Sequence, residues 1–571
     1  MSSPSPPPAH LTHAGTPSAG GHGHPPARRT RRTSLPRYAR WIGVGLGLLW
    51  LKLLLTSAWQ GDDAFITHRS AANLVAGHGA VWNVGERVQS YTHPLWFSFS
   101  TFFHALTGEA YVSMLVLSMV LVGVAVAGIA LGVARDWRVG ALLALALSCS
   151  AAVVDYGVSG LENPLLYVLL LGALIATARL PMPSQIQFAG LLVCAVGLTR
   201  MDALVLAGPP LLVMAHGLRP RKMAVRALLL ASLPLVAWEG FSLLYYGSLV
   251  PNTAIAKLNL EIDKWDLAVQ GLRYLGWTAR RDPMTLILIA GGITVAALRG
   301  GRIERASAVG LGLYLLYVLR IGGDFMGGRF LAAPAVLGAA LMARTLPLPK
   351  LSARWPGVAA LVCVLVGLGW PQSRWMTDAD YGVGVDPTSI VAASGIADER
   401  AYYQPTTGLL RNLRSWSGLR AAGEPIPPYP GARKGWQHRH DVGVVIEDEV
   451  GFFGYFAGPG TYVIDAWALG DPLLARLPYR PGPQWRIGHY PRPLPKGYLA
   501  SVQSGQNLLA DATLRPVYDD IRLATRASLF AEGRWAAIWR LNTGHHAAAL
   551  RAWRPRPSRS ARPSQSARPA P

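Results

Sequence analysis

The chain of 571 residues is 51% hydrophobic and only 15% charged, against about 25% charged for an ordinary soluble domain, and its mean hydropathy is +0.27. That balance excludes a disordered chain, a coiled coil and a collagen-like fibre, and it points to a multi-spanning α-helical membrane protein. About half of the net charge of +23 gathers at the ends, where residues 1–40 and 546–571 each hold six Arg and no acid in Pro/Ser/Ala-rich sequence. These read as disordered basic tails lying near anionic headgroups, and with no recognition motif beside the charge no nucleic acid is expected as a partner.

The polar leader is followed by no clean small-residue cleavage site, so it does not read as a cleavable signal peptide. Arg28, Arg29, Arg31, Arg32, Arg37 and Arg40 stand just before the apolar run Trp41–Trp59, which places the N-terminus in the cytoplasm. Further apolar runs lie near 112–134, 139–155, 164–178, 186–200, 203–217, 224–246, 284–298, 307–321, 329–347 and 355–371, about eleven in all. Several fall short of the roughly 20 residues of a typical span. The loops assigned to the cytoplasm carry Arg135 and Arg138; Arg179; Arg219, Arg221, Lys222 and Arg226; Arg299, Arg302 and Arg305; and Lys350 and Arg354. This threading obeys the positive-inside rule at each crossing and leaves the chain after Trp370 outside. Segment 94–107 reads either as interfacial or as an extension of the second span. Gly43, Gly45 and Gly47 read as helix-packing glycines, and Cys149, Cys194 and Cys363 as small buried apolar residues.

After 371 the long apolar runs end. Residues 441–465 hold two short β-type runs around Gly-rich turns, and a soluble α/β domain is expected here. The expected organisation is a tail over 1–40, a membrane domain of about eleven helices over 41–371, an extracytoplasmic α/β domain over 372–545 and a second tail over 546–571.

Polar motifs concentrate in the loops assigned to the outer side. Asp62 and Asp63 open the first, at a membrane exit, followed by an amphipathic stretch suited to the membrane surface; paired carboxylates there can act as a base or hold a cation. Glu162 lies in SGLENP. Arg200 and Asp202 sit between two apolar runs with almost no loop, a costly place for charge. Asn252, Thr253 and Lys257 follow in PNTAIAK, Lys257 being a mobile cation suited to a phosphate. Asp324 and Arg329 flank a Gly-rich turn in GGDFMGGRF. Carboxylates and cations gathered at one membrane face suit a reaction on a lipid phosphate: cations hold the leaving phosphate and a carboxylate deprotonates an acceptor hydroxyl. That is the chemistry of a polyprenyl-phosphate-sugar glycosyltransferase. His438, His440 and His489 lack metal-ligand spacing, and no metal ligands are assigned. Asp465, Asp471, Trp436 and Trp467 are candidates to line an acceptor site.

The ordered motifs DDAFITHRSAANLVAGHGAVWNVGERV, SGLEN, LTRMD, YYGSLVPNTAIAK, GGDFMGGRFLAAP, GIADERAYY, GDPLLARLP and RIGHYPRPLPKGY, running from about Trp59 to Gly544, resemble the terminal β-arabinofuranosyltransferases, which include an actinobacterial cell-wall enzyme and pilin-arabinosylating relatives. The resemblance implies a GT-C glycosyltransferase fold in the cytoplasmic (inner) membrane, with a C-terminal extracytoplasmic domain. It implies decaprenyl-phosphate-arabinofuranose or a close analogue as donor, and a glycan or surface protein as acceptor; it leaves room for a divalent cation. Asp63 or Asp62 would be the catalytic carboxylate. Lys257, Asp324, Arg329, Arg200, Asp202, Glu162, His93 (in SYTHPLW) and Asn252 would form the donor site. The competing readings are transfer of another sugar from a polyprenyl phosphate, a lipid or ion transporter, and a non-catalytic scaffold with a carbohydrate-binding domain.

Overall fold

The computed structural model describes residues 36–179, 182–346, 355–370, 372–482 and 485–554. Expectations placed on 1–35 and 555–571, and on Lys350 and Arg354, lie outside the described residues. Every apolar run folds as helix. The first part of the chain comprises α1 (Arg37–Ser57), α2 (Asp62–Val75), α3 (Pro94–Thr107), α4 (Tyr111–Ala127, continued by a π turn to Val133), α5 (Trp137–Ser148), α6 (Ala151–Gly157), α7 (Asn163–Thr177), α8 (Pro183–Thr199), α9 (Leu204–His216, entered through a 3₁₀ turn at Met201–Ala203), α10 (Arg221–Tyr245), α11 (Asn252–Leu258), α12 (Lys264–Arg281), α13 (Pro283–Arg299), α14 (Arg302–Ile321), α15 (Arg329–Thr345) and α16 (Trp355–Gly369). Prolines open α3, α8 and α13, where a missing N–H costs nothing.

Among the described residues, α1, α4 with its π turn, and α10 are each long and apolar enough to cross a membrane; α5 with α6, bent by 77°, and α12 with α13, bent by 109°, qualify as broken pairs. The other apolar helices are shorter. Segment 94–107 is a helix of its own, α3, and not an extension of the second span. Arg37 and Arg40 belong to α1 and not to the tail. Among the described residues, a Cβ placed on Gly43, Gly45 or Gly47 would meet nothing within 4 Å, so these glycines pack against no neighbouring helix there.

The remainder comprises α17 (Pro387–Ile390), α18 (Glu399–Thr407), α19 (Leu409–Ala421), α20 (Pro430–Gln437), β1 (Gly443–Glu447), α21 (Val450–Ala457), β2 (Thr461–Asp465), α22 (Tyr498–Ser504), α23 (Arg515–Thr525), α24 (Arg534–Asn542) and α25 (Ala547–Ala552). The two β-type runs are strands, paired in parallel from Gly443↔Thr461 to Glu447↔Asp465. A parallel pair requires a crossover, and the apolar segment between them, VGFFGYFA, supplies it as α21. Beyond these ten strand residues the region is short helices and turns, so the expected α/β layer is reduced to one two-stranded sheet. Ile464, Leu473, Tyr498 and Tyr518 form a core of their own behind that sheet.

This region is built onto the first part of the chain. Phe65 of α2 packs on Phe452 of α21, with ring centroids 4.2 Å apart, and Trp59 stacks on Tyr403 of α18. The buried Arg69 side chain donates to the carbonyls of Trp82 (2.8 Å), Thr461 (2.7 Å) and Gly454, tying α2 to both ends of the α21–β2 connection. Asp155 of α6 receives Arg374 (2.5 Å) and Arg400 (3.1 Å). Buried ion pairs contribute little net stability but enforce one arrangement, because separating the partners leaves charges unpaired.

Candidate active site

The first-loop acids open α2, an amphipathic helix between α1 and α3. Although adjacent, their carboxylates go to different places. Asp62 accepts the backbone N–H groups of Gly451 (2.8 Å) and Phe452 (2.7 Å) at the start of α21, where a helix N-terminus offers unpaired donors. Burial pushes its carboxyl up to about 8, with Glu449 adding to the shift. Asp63 faces the Gly-rich turn before α15: its Oδ2 lies 3.7 Å from Arg329 Nη1, and its side chain keeps 30% of its exposure. Burial raises its pKa too, opposed by the charges of Arg329 and Lys257.

Arg329 is the hub. Its Nη2 lies 3.3 Å from Glu162 Oε1, and its Nη1 3.7 Å from Asp324 Oδ2. The GGDFMGGR turn brings them together: Gly322, Gly323 and Gly328 all hold positive φ, and a Cβ on Gly323 would come within 2.5 Å of the Tyr274 ring, so only glycine fits that conformation and that approach. Tyr274 then fixes the start of α15, donating to Met326 O and accepting from Phe330 N (both 3.1 Å).

Glu162, at the N-terminus of α7, is 1% exposed and shared. Arg200 Nη1 reaches its Oε1 at 2.8 Å, and His93 Nδ1 lies 3.5 Å from Oε2. Burial alone would raise this carboxyl; the charges of Arg329, His93 and Arg200 outweigh it and hold Glu162 well below the usual carboxylate range. Burial lowers His93 to about 4, so its ring is neutral near pH 7, with Nε2 2.8 Å from Thr67 Oγ1. Arg200 is spent locally: it forks onto Asp202 (3.1 and 2.8 Å) and lies over the Phe330 ring, while Tyr314 donates to Asp202 at 3.1 Å. Lys257, at the end of α11, is exposed and near enough for its charge to act on both Asp63 and His489.

Three buried polar atoms of this cluster make no hydrogen bond: Glu162 Oε2, Asp324 Oδ2 and Arg329 Nε. Buried polar atoms are rarely left so, and the two 3.7 Å contacts of Arg329 are longer than hydrogen bonds. The guanidinium therefore has unspent donors pointing into a polar site. Among the described residues no group of three or more His, Cys, Asp or Glu is placed to hold a metal ion.

The structure thus brings Asp63, Glu162, Asp324, Arg329, Arg200, Asp202 and His93 into one connected cluster, with Lys257 beside it. Two of the sequence-selected residues stand apart. Asp62 anchors α21. Asn252 spends its amide on the carbonyls of Ala468, Leu469 and Asp471 (3.0–3.1 Å), so it holds a loop and presents no donor to the cluster. Asp465 and Asp471 are turn caps: Asp465 accepts from the N–H groups of Trp467 and Gly470, and Asp471 from those of Leu473 and Leu474. Sequence reasoning passed over Glu399. This side chain is 7% exposed and 3.6 Å from Arg486; burial raises it to about 8, with the charges of Asp63 and Asp324 adding to the shift. Its signal was the motif GIADERAYY, an acid next to an aromatic run far from any apolar span.

No family model matches the chain. Over 411 residues it is 32% identical to a terminal β-(1→2)-arabinofuranosyltransferase of Mycobacterium tuberculosis, covering 61% of this chain and 63% of that protein. Over 370 residues it is 30% identical to a terminal β-(1→2)-arabinofuranosyltransferase of Corynebacterium glutamicum, covering 55% and 52%. The chain thus spans less than two thirds of the length of either relative. Among solved structures, ArnT from Cupriavidus metallidurans bound to undecaprenyl phosphate aligns over 76% of this chain and 87% of that chain, at 14% identity and a TM-score of 0.45. By sequence, the chain is similar to terminal β-(1→2)-arabinofuranosyltransferases over the matched residues.

Proposed function

We propose that this chain is a GT-C-type membrane glycosyltransferase that transfers an arabinofuranosyl residue from a polyprenyl-phosphate donor to a glycan or surface-protein acceptor on the extracytoplasmic side of the cytoplasmic membrane. One observation carries the reading: Arg329 is a buried guanidinium with unspent donors, 3.7 Å from the part-exposed carboxylate of Asp63 and flanked by Asp324 and Glu162. A guanidinium fork suits a phosphate, and a carboxylate beside it suits an acceptor hydroxyl. The sequence relationship to arabinofuranosyltransferases supplies the sugar.

In this reading the donor phosphate takes up the free donors of Arg329, and Lys257 closes on it from the exposed end of α11. The acceptor oxygen forms a bond to the anomeric carbon as the bond from that carbon to the phosphate oxygen breaks. The leaving phosphate keeps the electron pair, and Asp63 takes the hydroxyl proton. Charge building on the phosphate is stabilised by cations already in place. Glu162, Arg200, Asp202 and His93 position Arg329, and Asp62 seats α21 against the same helix that carries Asp63.

The test is transfer of labelled arabinofuranose from decaprenyl phosphate to a short arabinan and to a surface-protein peptide, by purified protein in detergent. Label reaching one acceptor in the wild type, and neither with Asp63→Asn, is the expected result. Donor binding without transfer would redirect the acceptor assignment; transfer of a different sugar only would overturn the arabinose assignment; wild-type transfer by Asp63→Asn would remove Asp63 from the mechanism.

A further inference from the structure

A cavity of about 510 Å³ lies on the side of α11 away from the Arg329 cluster. Its volume is that of a small-molecule site. α11 carries Lys257 toward the cluster, while Ile255 and Leu258 line this cavity together with Leu541 and Leu550 from α24 and α25. The wall is therefore apolar, and the polar groups in it are sorted by whether they are already used. Glu261 is paired with Arg480 at 3.0 Å and His546 with Asp520 at 2.7 Å. Asn259 donates to Ala475 O, Asn542 to Gly247 O and Ser248 to Val250 O. Arg476 and Arg551 also line the cavity; among the described residues neither makes an ion pair, and Arg476 spends one nitrogen on Pro472 O. The neutral side-chain donors of Asn259, Asn542 and Ser248, which a sugar would need, are here already committed. What is left over is guanidinium charge above a hydrocarbon wall, which suits an anion carrying an apolar chain.

The cavity also stands at one end of a helix long and apolar enough to cross a membrane. Ser248 and Val250, on its rim, are among the first residues after α10, a helix of span length with four cations at its N-terminal end and Trp238, Phe241 and Tyr245 at the other. That aromatic end is the mark of a membrane–water interface. α24 is fastened across it: Arg534 Nη2 donates to Tyr245 O at 3.1 Å and Asn542 to Gly247 O at 2.9 Å. Away from this contact α24 leaves Trp539 71% exposed, and Phe530 just before it is 81% exposed, as expected of side chains seated among lipid headgroups.

We propose that this cavity binds a lipid phosphate at a site separate from the Arg329 cluster, with the phosphate on Arg476 and Arg551 and the chain along Ile255, Leu258, Leu541 and Leu550. The inference shares with the proposed function only the seating in a membrane, and not the reaction. It is tested by native mass spectrometry of the full chain in neutral detergent, counting bound farnesyl phosphate in a Lys257→Gln background that weakens the cluster's own hold on phosphate. Binding is expected to persist there and to fall about tenfold or more when Arg476→Gln is added, the effect of losing a charge-assisted hydrogen bond. Val250→Asp, a part-exposed rim position that puts a carboxylate where the phosphate enters, should do the same without a folding cost. Displacement by phosphatidylglycerol would identify a bulk lipid headgroup as the occupant, and resistance to it a prenyl phosphate; both are lipid phosphates. Farnesol binding as well as farnesyl phosphate, displacement by inorganic phosphate alone, or unchanged affinity in both cavity variants would overturn the proposal. A cluster that binds no phosphate would show as a missing effect of Lys257→Gln, independently of the Arg476 result.

Discussion

Asp62 and Asp63 are consecutive residues whose carboxylates serve different parts of the molecule: Asp62 accepts two N–H groups at the start of α21, and Asp63 lies 3.7 Å from Arg329. Their substitutions should therefore separate stability from chemistry. Asp63→Asn removes the proton acceptor and should lower the transfer rate by at least about a hundredfold, the scale of general-base loss, with little change in Tm. Asp62→Asn retains one acceptor oxygen for two N–H donors, so Tm should fall while measurable transfer remains. In the wild type the rate should fall on the acid side, since protonated Asp63 accepts no proton, with a midpoint above the ordinary Asp range. Parallel transfer assays and thermal melts across pH check all three.

Glu162 is expected to hold two arginines in register. It is 1% exposed and lies within 3.3 Å of both Arg200 and Arg329. Glu162→Gln leaves those guanidinium groups short of a counter-charge, a change that costs on the order of 3 kcal/mol in buried pairs. Tm should drop clearly and donor affinity should shift with it, because Arg329 loses the partner that orients it. Denaturation in detergent, with and without donor phosphate, measures both.

How much of this was readable in advance depends on the range of the interaction. Apolar runs predict helices because burial pattern is local, and each run is helical, the run at 139–155 being broken into α5 and α6. The motifs carrying Asp63, Glu162, Arg200, Asp324 and Arg329 also stand out locally, as charge at the ends of apolar runs. The division of labour between Asp62 and Asp63 is not local: it depends on α21, about 390 residues away. Asn252 was misread for the same reason, since its three carbonyl partners sit on the 468–471 loop. Asp155 was embedded in an apolar run, where an ionisable residue is a signal in itself, and its partners Arg374 and Arg400 lie far along the chain.

Lys257 should affect the donor and leave the fold alone. It is exposed, and its charge reaches Asp63. Lys257→Gln is expected to raise KM for the polyprenyl-phosphate donor about tenfold, the worth of one charge-assisted contact, with Tm unchanged. Lys257→Arg should recover part of that affinity. Donor titrations at constant acceptor report the effect.

The raised carboxyl of Glu399 gives stability a direction in pH. Its folded-state pKa is about 8 against an ordinary 4.5, so between these values the folded state holds a proton that the unfolded state has released. Stability is then greatest at the acid end of the window and declines as pH rises toward about 8. Asp62, also raised to about 8, acts in the same sense. Tm should fall from about pH 5 to about pH 8, and Glu399→Gln should reduce that fall without removing it, because Asp62 still titrates. A Tm rising over the same interval would contradict the assignment.

Gly451 tests whether seating α21 on α2 matters for the reaction. A Cβ at this position would lie 1.9 Å from the backbone oxygen of Asp62 and 3.0 Å from its carboxyl carbon. Neither atom is the free end of a flexible side chain, so Gly451→Ala must push α21 away from α2. That movement breaks the N–H contacts from Gly451 and Phe452 to Asp62 and loosens the Phe65–Phe452 stack. Because Asp63 follows on the same helical turn, a displaced α2 also moves it relative to Arg329, and a misplacement of about 1 Å is enough to cost on the order of a hundredfold in rate. Gly451→Ala is therefore expected to lower both Tm and transfer rate, and to lower the rate more than Asp62→Asn does. Equal rates in the two variants would mean that the Asp62 hydrogen bonds alone, and not the position of α2, connect α21 to the chemistry.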